Sequence, residues 1–145
     1  MRDPYDIDEI KALVLRYPEL IDAGDFDGIG ELFAHARLHS GDHVVHGTDL
    51  PAMLRGLVRT YEDGRTSTSH VVTNLVVEVA PDRQSAKARS YVTVLQGRPG
   101  FPLQIIASNR HHDTFERVEE RWRFCERIDI QVLTGDLSHH TTGGY

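Results

Sequence analysis

The spacing of apolar residues changes once along this chain, near Gly64. Before that residue, apolar side chains return at every third or fourth position, which is the period of a helix with one buried face. The first such segment begins directly after Asp6, and Asp6 and Glu9 have the spacing of a capping box at a helix start. Its apolar positions are Ile7, Ile10, Leu13, Val14, Tyr17 and Ile21. The pattern predicts an amphipathic first helix that ends close to Asp22.

Two shorter helices are predicted between this first helix and Gly64. Asp25 or Asp27 can cap one of them, and Thr48 with Asp49 can cap the other. Their apolar residues are Ile29, Leu32 and Phe33 in the former and Leu50, Met53, Leu54, Leu57, Val58 and Tyr61 in the latter. Helical structure is therefore expected only in the N-terminal part of the chain.

After Gly64 the apolar period is two, which is typical of strands. Four long strands are predicted, over residues 66–79, 86–96, 103–118 and 121–133. One face of each of the first three is formed by His70, Val72, Asn74 and Val76; by Ala86, Ala88, Ser90, Val92, Val94 and Gln96; and by Leu103, Ile105, Ala107, Asn109, His111, Asp113 and Phe115. Turn sequences between the strands indicate an antiparallel meander.

Three helices followed by a meander of strands predict an α+β fold, with three N-terminal helices packed on a curved, mostly antiparallel sheet. We expect residues 1–145 to form a single domain, because a chain of 145 residues with 39% hydrophobic content supports one core and not two. Helices over a strongly bent sheet leave a cone-shaped pocket suited to a small apolar ligand. The other sheet face is also partly apolar, so a homo-oligomer, either a dimer or a trimer, is expected. The tail from Gly135 is expected to be frayed or ordered by a partner.

The composition excludes several classes of partner. The formal net charge is −6 and the arginines are scattered, which argues against a nucleic-acid surface. No segment approaches the roughly 18 apolar residues of a membrane span, so no membrane partner is expected. Cys125 is the only cysteine, which excludes an intrachain disulfide and fits a reducing compartment. The chain is therefore predicted to be cytoplasmic, with a small molecule as its ligand.

Four histidines lie close together in sequence and raise the question of a metal site. They are His35, His39, His43 and His46. Gly41 and the neighbouring valines at 44 and 45 indicate loop and strand, and such a backbone would not bring four rings together as a helix would. No metal and no other cofactor is predicted.

His70 lies at the start of the longest run of β-branched residues, on a face expected to look into a covered and partly apolar space. Strand context alone favours a hydrogen-bonded core histidine over a catalytic one. The third predicted strand carries three polar residues in its middle, Asn109, His111 and Asp113, on the same face as apolar neighbours. We expect them to line the same cavity as His70. A structural hydrogen-bond network across the strands is the alternative.

Four segments together resemble a SnoaL-like domain of the nuclear transport factor two-like superfamily. They are Arg16–Asp27 (RYPELIDAGDFD), Ser69–Asn74 (SHVVTN), His111–Arg117 (HHDTFER) and Trp122–Phe124 (WRF), and the resemblance extends from about Ile7 to His140. Within the superfamily, the chain is most similar to the branch that contains scytalone dehydratase and hexachlorocyclohexane dehydrochlorinase. The resemblance covers nearly the whole chain, and it is more specific for the fold than for the reaction.

The resemblance implies a histidine base at His70, oriented by Asp22 at the end of the first helix. It also implies that Arg127 contributes to the catalytic site. Gln96 stands where scytalone dehydratase has a second histidine, and Pro18 lies within the helix that must present Asp22. The residues expected to contact substrate are Tyr17, Asn74, Gln96, Asn109, His111 and Asp113.

The register of the last two strands decides whether Arg127 can face this site. A two-residue turn followed by regular pairing would set His112 opposite Arg127, and Arg127 would then point away from the pocket. A β-bulge near Cys125 or Glu126 adds one residue and turns every later side chain to the opposite face. We therefore predict such a bulge, with the inward-facing residues being Arg127, Asp129 and Gln131.

A dyad of this kind explains a cofactor-independent reaction. A carboxylate that accepts from Nδ1–H of His70 fixes the tautomer, leaves Nε2 free as a base and stabilises the imidazolium. The predicted function is a lyase, a dehydratase or related elimination enzyme, that acts on a small, largely apolar metabolite. An isomerase or polyketide cyclase using the same base stays open, as does a non-catalytic ligand-binding or dimerisation module. Epoxide hydrolysis is less favoured, because Asp113, Arg127 and Asp129 would have to surround one water.

Overall fold

The computed structural model describes residues 3–143 and has the predicted α+β architecture, with three helices packed on one face of a curved six-stranded sheet. The helices are α1 (Pro4–Ala23), α2 (Phe26–Leu32) and α3 (Leu50–Leu57). The strands are β1 (Arg37–Ser40), β2 (His43–His46), β3 (Thr68–Val79), β4 (Ser85–Arg98), β5 (Phe101–Val118) and β6 (Arg121–Thr134). The sheet order is β2-β1-β6-β5-β4-β3, and only the β1–β6 pair is parallel. Among the described residues, no helix is long and apolar enough to cross a bilayer.

Helix α1 begins earlier than the capping-box spacing predicted. Asp3 is the N-cap, and its carboxylate accepts a hydrogen bond from the backbone N–H of Tyr5 at 2.9 Å. Asp6 is instead buried within the helix and accepts from Arg83 Nε at 2.7 Å and from Trp122 Nε1 at 3.0 Å. The capping prediction was wrong because the Asp6 carboxylate joins α1 to the sheet rather than satisfying its first turn.

The C-terminal end of α1 places Asp22 next to the sheet. The helix continues past Pro18 to Ala23 and ends at Gly24, whose φ of 72° is in the left-handed region that favours glycine. A Cβ atom at Gly24 would lie 2.2 Å from the carbonyl oxygen of Gly64, so the two segments approach closely. This contact brings the last turn of α1 against the start of β3.

The main core lies between the helices and the concave face of the sheet. Its centre is aromatic: the Phe124 ring lies 4.5 Å from that of Phe33 and 4.6 Å from that of Phe115, between ring centroids. Burying a side chain of this size contributes roughly 1.5–3 kcal/mol. The other fully or nearly buried apolar residues include Ile10, Val14, Leu20, Ile21, Phe26, Ile29, Leu50 and Trp122. This core holds the helices against the sheet.

The predicted bulge in the last strand is present. Phe115 pairs with Phe124 and Thr114 pairs with Glu126, which leaves Cys125 as the extra residue. Asp113 is therefore opposite Arg127, and both side chains are buried on the concave face. Asp129 and Gln131 follow on that face, as predicted.

Two bulges that the apolar pattern did not predict change the faces of β3 and β5. Between Thr73 and Val76, Asn74 adopts a φ of 53°, and Val77 is buried instead of Val76. In β5, Ile106 is the extra residue and is fully buried. Residues before it are consequently reversed: the side chains predicted to face inward, Leu103 and Ile105, are 76% and 60% exposed.

The tail after β6 packs onto the domain, so the prediction of a frayed tail was wrong for residues 135–143. The carbonyl oxygen of His140 accepts from the backbone N–H of Arg59 at 2.8 Å, and the N–H of Thr142 donates to Leu57 at 2.9 Å. The side chain of Gln96 donates to the carbonyl oxygen of His139 at 3.0 Å. These bonds hold the tail against the end of α3. Residues 144–145 of the predicted tail lie outside the described part of the chain.

Candidate functional site

Asp22 and His70 are in direct contact between the end of α1 and the start of β3. Nδ1 of His70 lies 2.6 Å from Oδ1 of Asp22. The backbone N–H of His70 donates to Oδ2 of the same carboxylate at 3.0 Å, and Thr68 Oγ1 donates to Oδ1 at 2.8 Å. The His70 side chain is only 6% exposed. Three donors thus fix one carboxylate, and the carboxylate fixes the imidazole ring.

The charge state of this pair follows from its contacts. Burial raises the pKa of the Asp22 carboxyl, but the hydrogen bonds from His70 and Thr68 outweigh burial and hold the pKa below its ordinary value. Asp22 is therefore ionised at neutral pH and can only accept hydrogen bonds. The proton between the two groups consequently belongs to Nδ1, which leaves Nε2 of His70 as an acceptor.

His70 lines a cavity of about 100 Å³ in the concave face of the sheet. The edge of the Tyr17 ring contacts this space, with its centroid 6.0 Å from that of His70. The apolar wall is formed by Ile21, Leu54, Val58, Val92, Val94 and Ala107, and the polar lining by Asn109, His111, Asp129, Gln131, His140 and Thr141. An enclosed apolar cavity of about 150 Å³ can hold benzene, whereas this smaller space is partly open, so a six-membered ring fits it only with part of the ring in the opening.

A second histidine and carboxylate face the cavity from β5 and β6. Nε2 of His111 lies 3.2 Å from Oδ1 of Asp129. By distance the two groups form an ion pair if His111 is protonated, but no donor within residues 3–143 is aligned for a hydrogen bond to Oδ1 of Asp129, and the same is true of Oδ1 of Asn109. Burial lowers the pKa of His111 and the nearby Arg127 lowers it further, and together they outweigh Asp129 and Asp113, which raise it. Neutral His111 and the two unpartnered oxygens give this wall hydrogen-bonding capacity for a ligand.

Arg127 and Asp113 do not reach the cavity, although both face inward. Arg127 donates from Nε to Oδ1 of Asp113 at 2.7 Å and from Nη2 to Oδ2 at 3.0 Å. The guanidinium lies about 5 Å from the ring centroids of Tyr17, Phe33 and Phe124. Burial alone would lower the pKa of Arg127, but Asp113 raises it. The two predicted site residues form a buried ion pair that does not line the cavity, as an Asp–Arg–Asp site for epoxide hydrolysis would require.

Two further residues expected to contact substrate lie elsewhere. Gln96 donates from Nε2 to the carbonyl oxygens of Thr66 at 3.2 Å and of His139 at 3.0 Å, so its amide holds two chain segments together and does not line the cavity. Asn74 is exposed, because the bulge in β3 turns its side chain away from the face of His70. Of the six predicted substrate contacts, the structure brings Tyr17, Asn109 and His111 to the cavity.

The tail supplies cavity residues that the sequence reasoning missed. Leu137, His140 and Thr141 line the space above the dyad, and the ring centroid of His140 lies 5.9 Å from that of His70. The only signal in the sequence was the pair of adjacent histidines in an otherwise small and polar tail. That signal does not say where the tail packs.

The histidines of residues 35–46 are dispersed over the hairpin of β1 and β2 and its flanks. Nε2 of His39 lies 3.2 Å from Oε2 of Glu126, and Nδ1 of His46 lies 2.9 Å from Oγ1 of Thr48. Within the described residues, no three His, Cys, Asp or Glu side chains converge as metal ligands. That the purified protein carries no stoichiometric metal stays a prediction, which elemental analysis would test.

The fold is shared with several solved structures. One from Novosphingobium aromaticivorans, named "Putative Scytalone Dehydratase", has a TM-score of 0.70 and 20% identity over 91% of this chain and 87% of that chain. An NTF2-like protein with a cystatin-like fold from the same organism has a TM-score of 0.72 and 22% identity, covering 93% and 86%. A structure named as a putative dehydratase of the NTF2-like family, from Streptomyces avermitilis, has a TM-score of 0.68 and 16% identity, covering 92% and 100%. At these identities the likeness shows the fold alone.

The sequence itself matches a family profile described as a SnoaL-like domain over residues 4–128. No curated protein sequence matches the chain. The matched segment contains Asp22 and His70 and ends before Asp129 and His140. Because it covers most of the chain, the family predicted from the sequence is confirmed. This chain belongs to the SnoaL-like domain family.

Proposed function

We propose that this protein is a cofactor-independent lyase in which Asp22 and His70 remove a proton from a small, largely apolar substrate and expel a leaving group such as water. The observation that carries the proposal is the contact of 2.6 Å between Asp22 Oδ1 and His70 Nδ1, at a histidine that lines a cavity. The family includes dehydratases and cyclases, and two of the similar structures are named as putative dehydratases. Their names support a dehydration more than another elimination.

The proposed reaction balances without any further reagent. Nε2 of His70 takes the proton from the carbon beside a carbonyl group, and the Asp22 carboxylate stabilises the imidazolium that forms. The electrons of the broken C–H bond form the new double bond as the bond to the β-hydroxyl group breaks. The imidazolium then gives its proton to the departing hydroxide, which leaves as water. His70 is returned to its neutral state, and the product is an unsaturated carbonyl compound.

Two small cyclic ketones test the proposed proton removal and elimination directly. In D₂O, the wild-type protein should exchange the α-protons of cyclohexanone and convert 3-hydroxycyclohexanone to cyclohexenone, both followed by proton NMR. His70→Gln should reduce both rates by about a hundredfold to ten-thousandfold, which is the usual contribution of a positioned base. Rates of exchange and elimination equal to those of His70→Gln would exclude the lyase and favour a non-catalytic binding module.

The same experiment separates the isomerase alternative. Cyclohex-3-enone has no leaving group, but it becomes conjugated when a base moves one proton from carbon to carbon. A protein that conjugates this ketone and exchanges α-protons, yet does not dehydrate 3-hydroxycyclohexanone, is an isomerase that uses the same dyad. A protein that dehydrates the hydroxyketone is the proposed lyase.

A further inference from the structure

We propose that His140, on the C-terminal tail, is a second substrate-contacting residue whose imidazole hydrogen-bonds the substrate oxygen beside the carbon that His70 deprotonates. The inference rests on the proposed function for the identity of that oxygen, and on the geometry of the tail for everything else. It implies that the substrate is a small carbonyl compound that contacts both imidazole rings.

The position of His140 is the first support. Its ring lines the cavity, and its centroid lies 5.9 Å from that of His70 with an angle of 59° between the two ring planes. Hydrogen bonds span about 3 Å between heavy atoms, so neighbouring atoms of one small molecule can contact both rings. A carbon acid and its carbonyl oxygen are such neighbouring atoms.

The tail is held by its backbone, and the His140 ring is not used for that purpose. The backbone N–H of His140 donates to Leu137 at 2.9 Å, and its carbonyl oxygen accepts from Arg59 at 2.8 Å. The next residue, Thr141, forms a β-bridge with Val58. Nδ1 of the His140 ring is nevertheless buried without a hydrogen-bond partner in residues 3–143. A buried polar atom without a partner costs free energy, so a ligand oxygen that reaches this nitrogen stabilises the site.

The charge state of His140 suits this role. Burial lowers the pKa of His140 to about 4, and the neighbouring His70 lowers it too, while Asp22 opposes both effects. At neutral pH the ring is uncharged, so it can hydrogen-bond an oxygen without repelling the imidazolium that forms on His70. A donor aimed at an oxygen that gains negative charge stabilises the transition state more than the ground state.

His140 also lies outside the part of the chain that defines the family. The SnoaL-like profile matches residues 4–128, whereas the tail that carries His140 begins at Gly135. The Asp22–His70 pair lies inside the matched segment. The proposed contact from the tail therefore lies outside the segment by which the chain is assigned to the family.

Phenol and benzene together test the contact without requiring turnover. They have the same ring, but only phenol carries an oxygen at the position of an enol oxygen. Binding would be measured by NMR titration of the full-length protein, following the imidazole ¹⁵N signals of His70 and His140. Loss of one neutral hydrogen bond in His140→Phe should weaken phenol binding about threefold to tenfold and change benzene binding by less than about twofold.

Two variants make the result specific. His139→Phe is the matched control, because the His139 ring packs on Phe101 with centroids 4.2 Å apart and does not line the cavity. It should bind both probes like the wild type. His140→Gln keeps an amide that can hydrogen-bond, and it should recover part of the phenol affinity that His140→Phe loses.

Three outcomes would overturn the inference. Equal weakening of phenol and benzene in His140→Phe would show that the ring only packs, and unchanged phenol binding would show that it makes no contact. Wild-type protein that binds benzene as tightly as phenol would show that no group in the site recognises the oxygen. None of these depends on ketone turnover, so failure of the elimination assay and failure of this contact are distinguishable.

Discussion

The geometry of the proposed base, His70, depends on the carboxylate of Asp22. This carboxylate accepts from the His70 ring, from the His70 backbone and from Thr68, so it is held by three donors from one strand. Its pKa is lowered because these bonds outweigh burial. The carboxylate therefore supplies both orientation and a negative charge, and the two contributions can be separated by an isosteric change.

We predict that Asp22→Asn keeps the shape of the site and loses its basicity. The amide cannot stabilise the imidazolium and can select the wrong tautomer of His70, so cyclohexanone proton exchange should slow by about a hundredfold to ten-thousandfold. The free energy of unfolding, from urea titration, should change much less. Asp8→Asn, at an exposed position of the same helix, is the matched control. Exchange at the wild-type rate in Asp22→Asn would show that the carboxylate does not support the base.

Arg127 illustrates a side chain whose inward direction was predicted correctly and whose catalytic role stays a prediction. The bulge at Cys125 turns it inward, but its guanidinium donates two hydrogen bonds to the facing Asp113 and does not line the cavity. Its Nη1 atom is buried without a partner in the described residues. We infer that the pair serves the fold rather than the reaction.

Arg127→Met should therefore lower the free energy of unfolding by about 3–5 kcal/mol, because it leaves the Asp113 carboxylate buried and unpaired. Urea titration would measure this loss. The exposed pair between Arg16 and Glu19 on α1 is the comparison, and Arg16→Met should cost no more than about 1 kcal/mol. A stable Arg127→Met protein that has lost proton exchange would instead return Arg127 to the catalytic site.

At the scale of the strands, the sequence predicted the elements better than the faces. The alternation of apolar and polar residues predicted the faces of β4 correctly, because every position predicted to face inward from Ala86 to Gln96 is buried. The bulge in β6 was predicted because the resemblance assigned Arg127 to the site, whereas regular pairing would have turned Arg127 to the opposite face. The bulges in β3 and β5 were not, because apolar residues occupy both faces there and either register looks acceptable. Asn74, a residue type that tolerates positive φ, was the one local indication.

The C-terminal tail was unpredictable for a different reason. Residues 135–143 have no apolar period, and their attachment relies on backbone hydrogen bonds to Leu57 and Arg59 and on the Gln96 side chain. Such bonds leave no pattern in the side chains of the tail itself. The candidate site was consequently predicted for the part built by α1, β3, β5 and β6, and missed where residues of the tail line it.

The free energy of unfolding should depend on pH because of His140 in the tail. The pKa of His140 is about 4 in the folded protein, whereas an unfolded histidine has a pKa of about 6.5. Between these values the unfolded chain binds more protons, so the free energy of unfolding is highest above pH about 6.5 and falls as the pH drops toward about 4. His111, whose pKa is also lowered, acts in the same direction.

His140→Phe isolates the contribution of the tail to this pH dependence. Unfolding of both proteins by urea would be measured at a series of pH values between 4 and 7. The wild type should lose up to about 3 kcal/mol more than the variant across this range, because each unit of pKa shift corresponds to about 1.4 kcal/mol. Equal losses in the two proteins would mean that His140 is not buried in its neutral form in solution.

At the scale of the whole molecule, the sheet has one face covered by helices and one face bare. The bare face carries partly exposed apolar side chains from four adjacent strands, namely Val71, Val76, Tyr91, Ile105, Ile128, Ile130 and Leu133. Arg110 lies over the Tyr91 ring at 3.5 Å and covers part of that surface. The same face has charges of both signs, with Glu78 and Arg89 within 3.9 Å of each other. A patch that is apolar and carries both charges can pair with a copy of itself about a two-fold axis.

We therefore predict a homodimer formed by the bare faces of two sheets. Ile130, on β6 near the middle of this surface, is 42% exposed, and Ile130→Asp would bury a charge if the face is an interface. Light scattering after size-exclusion chromatography should give the mass of two chains for the wild type and of one chain for this variant. Leu15→Asp, at a similarly exposed apolar position on α1, should remain a dimer because it lies on the opposite side of the molecule. A monomeric wild type, or a dimer that dissociates in Leu15→Asp and not in Ile130→Asp, would show that the bare face does not bind a second copy.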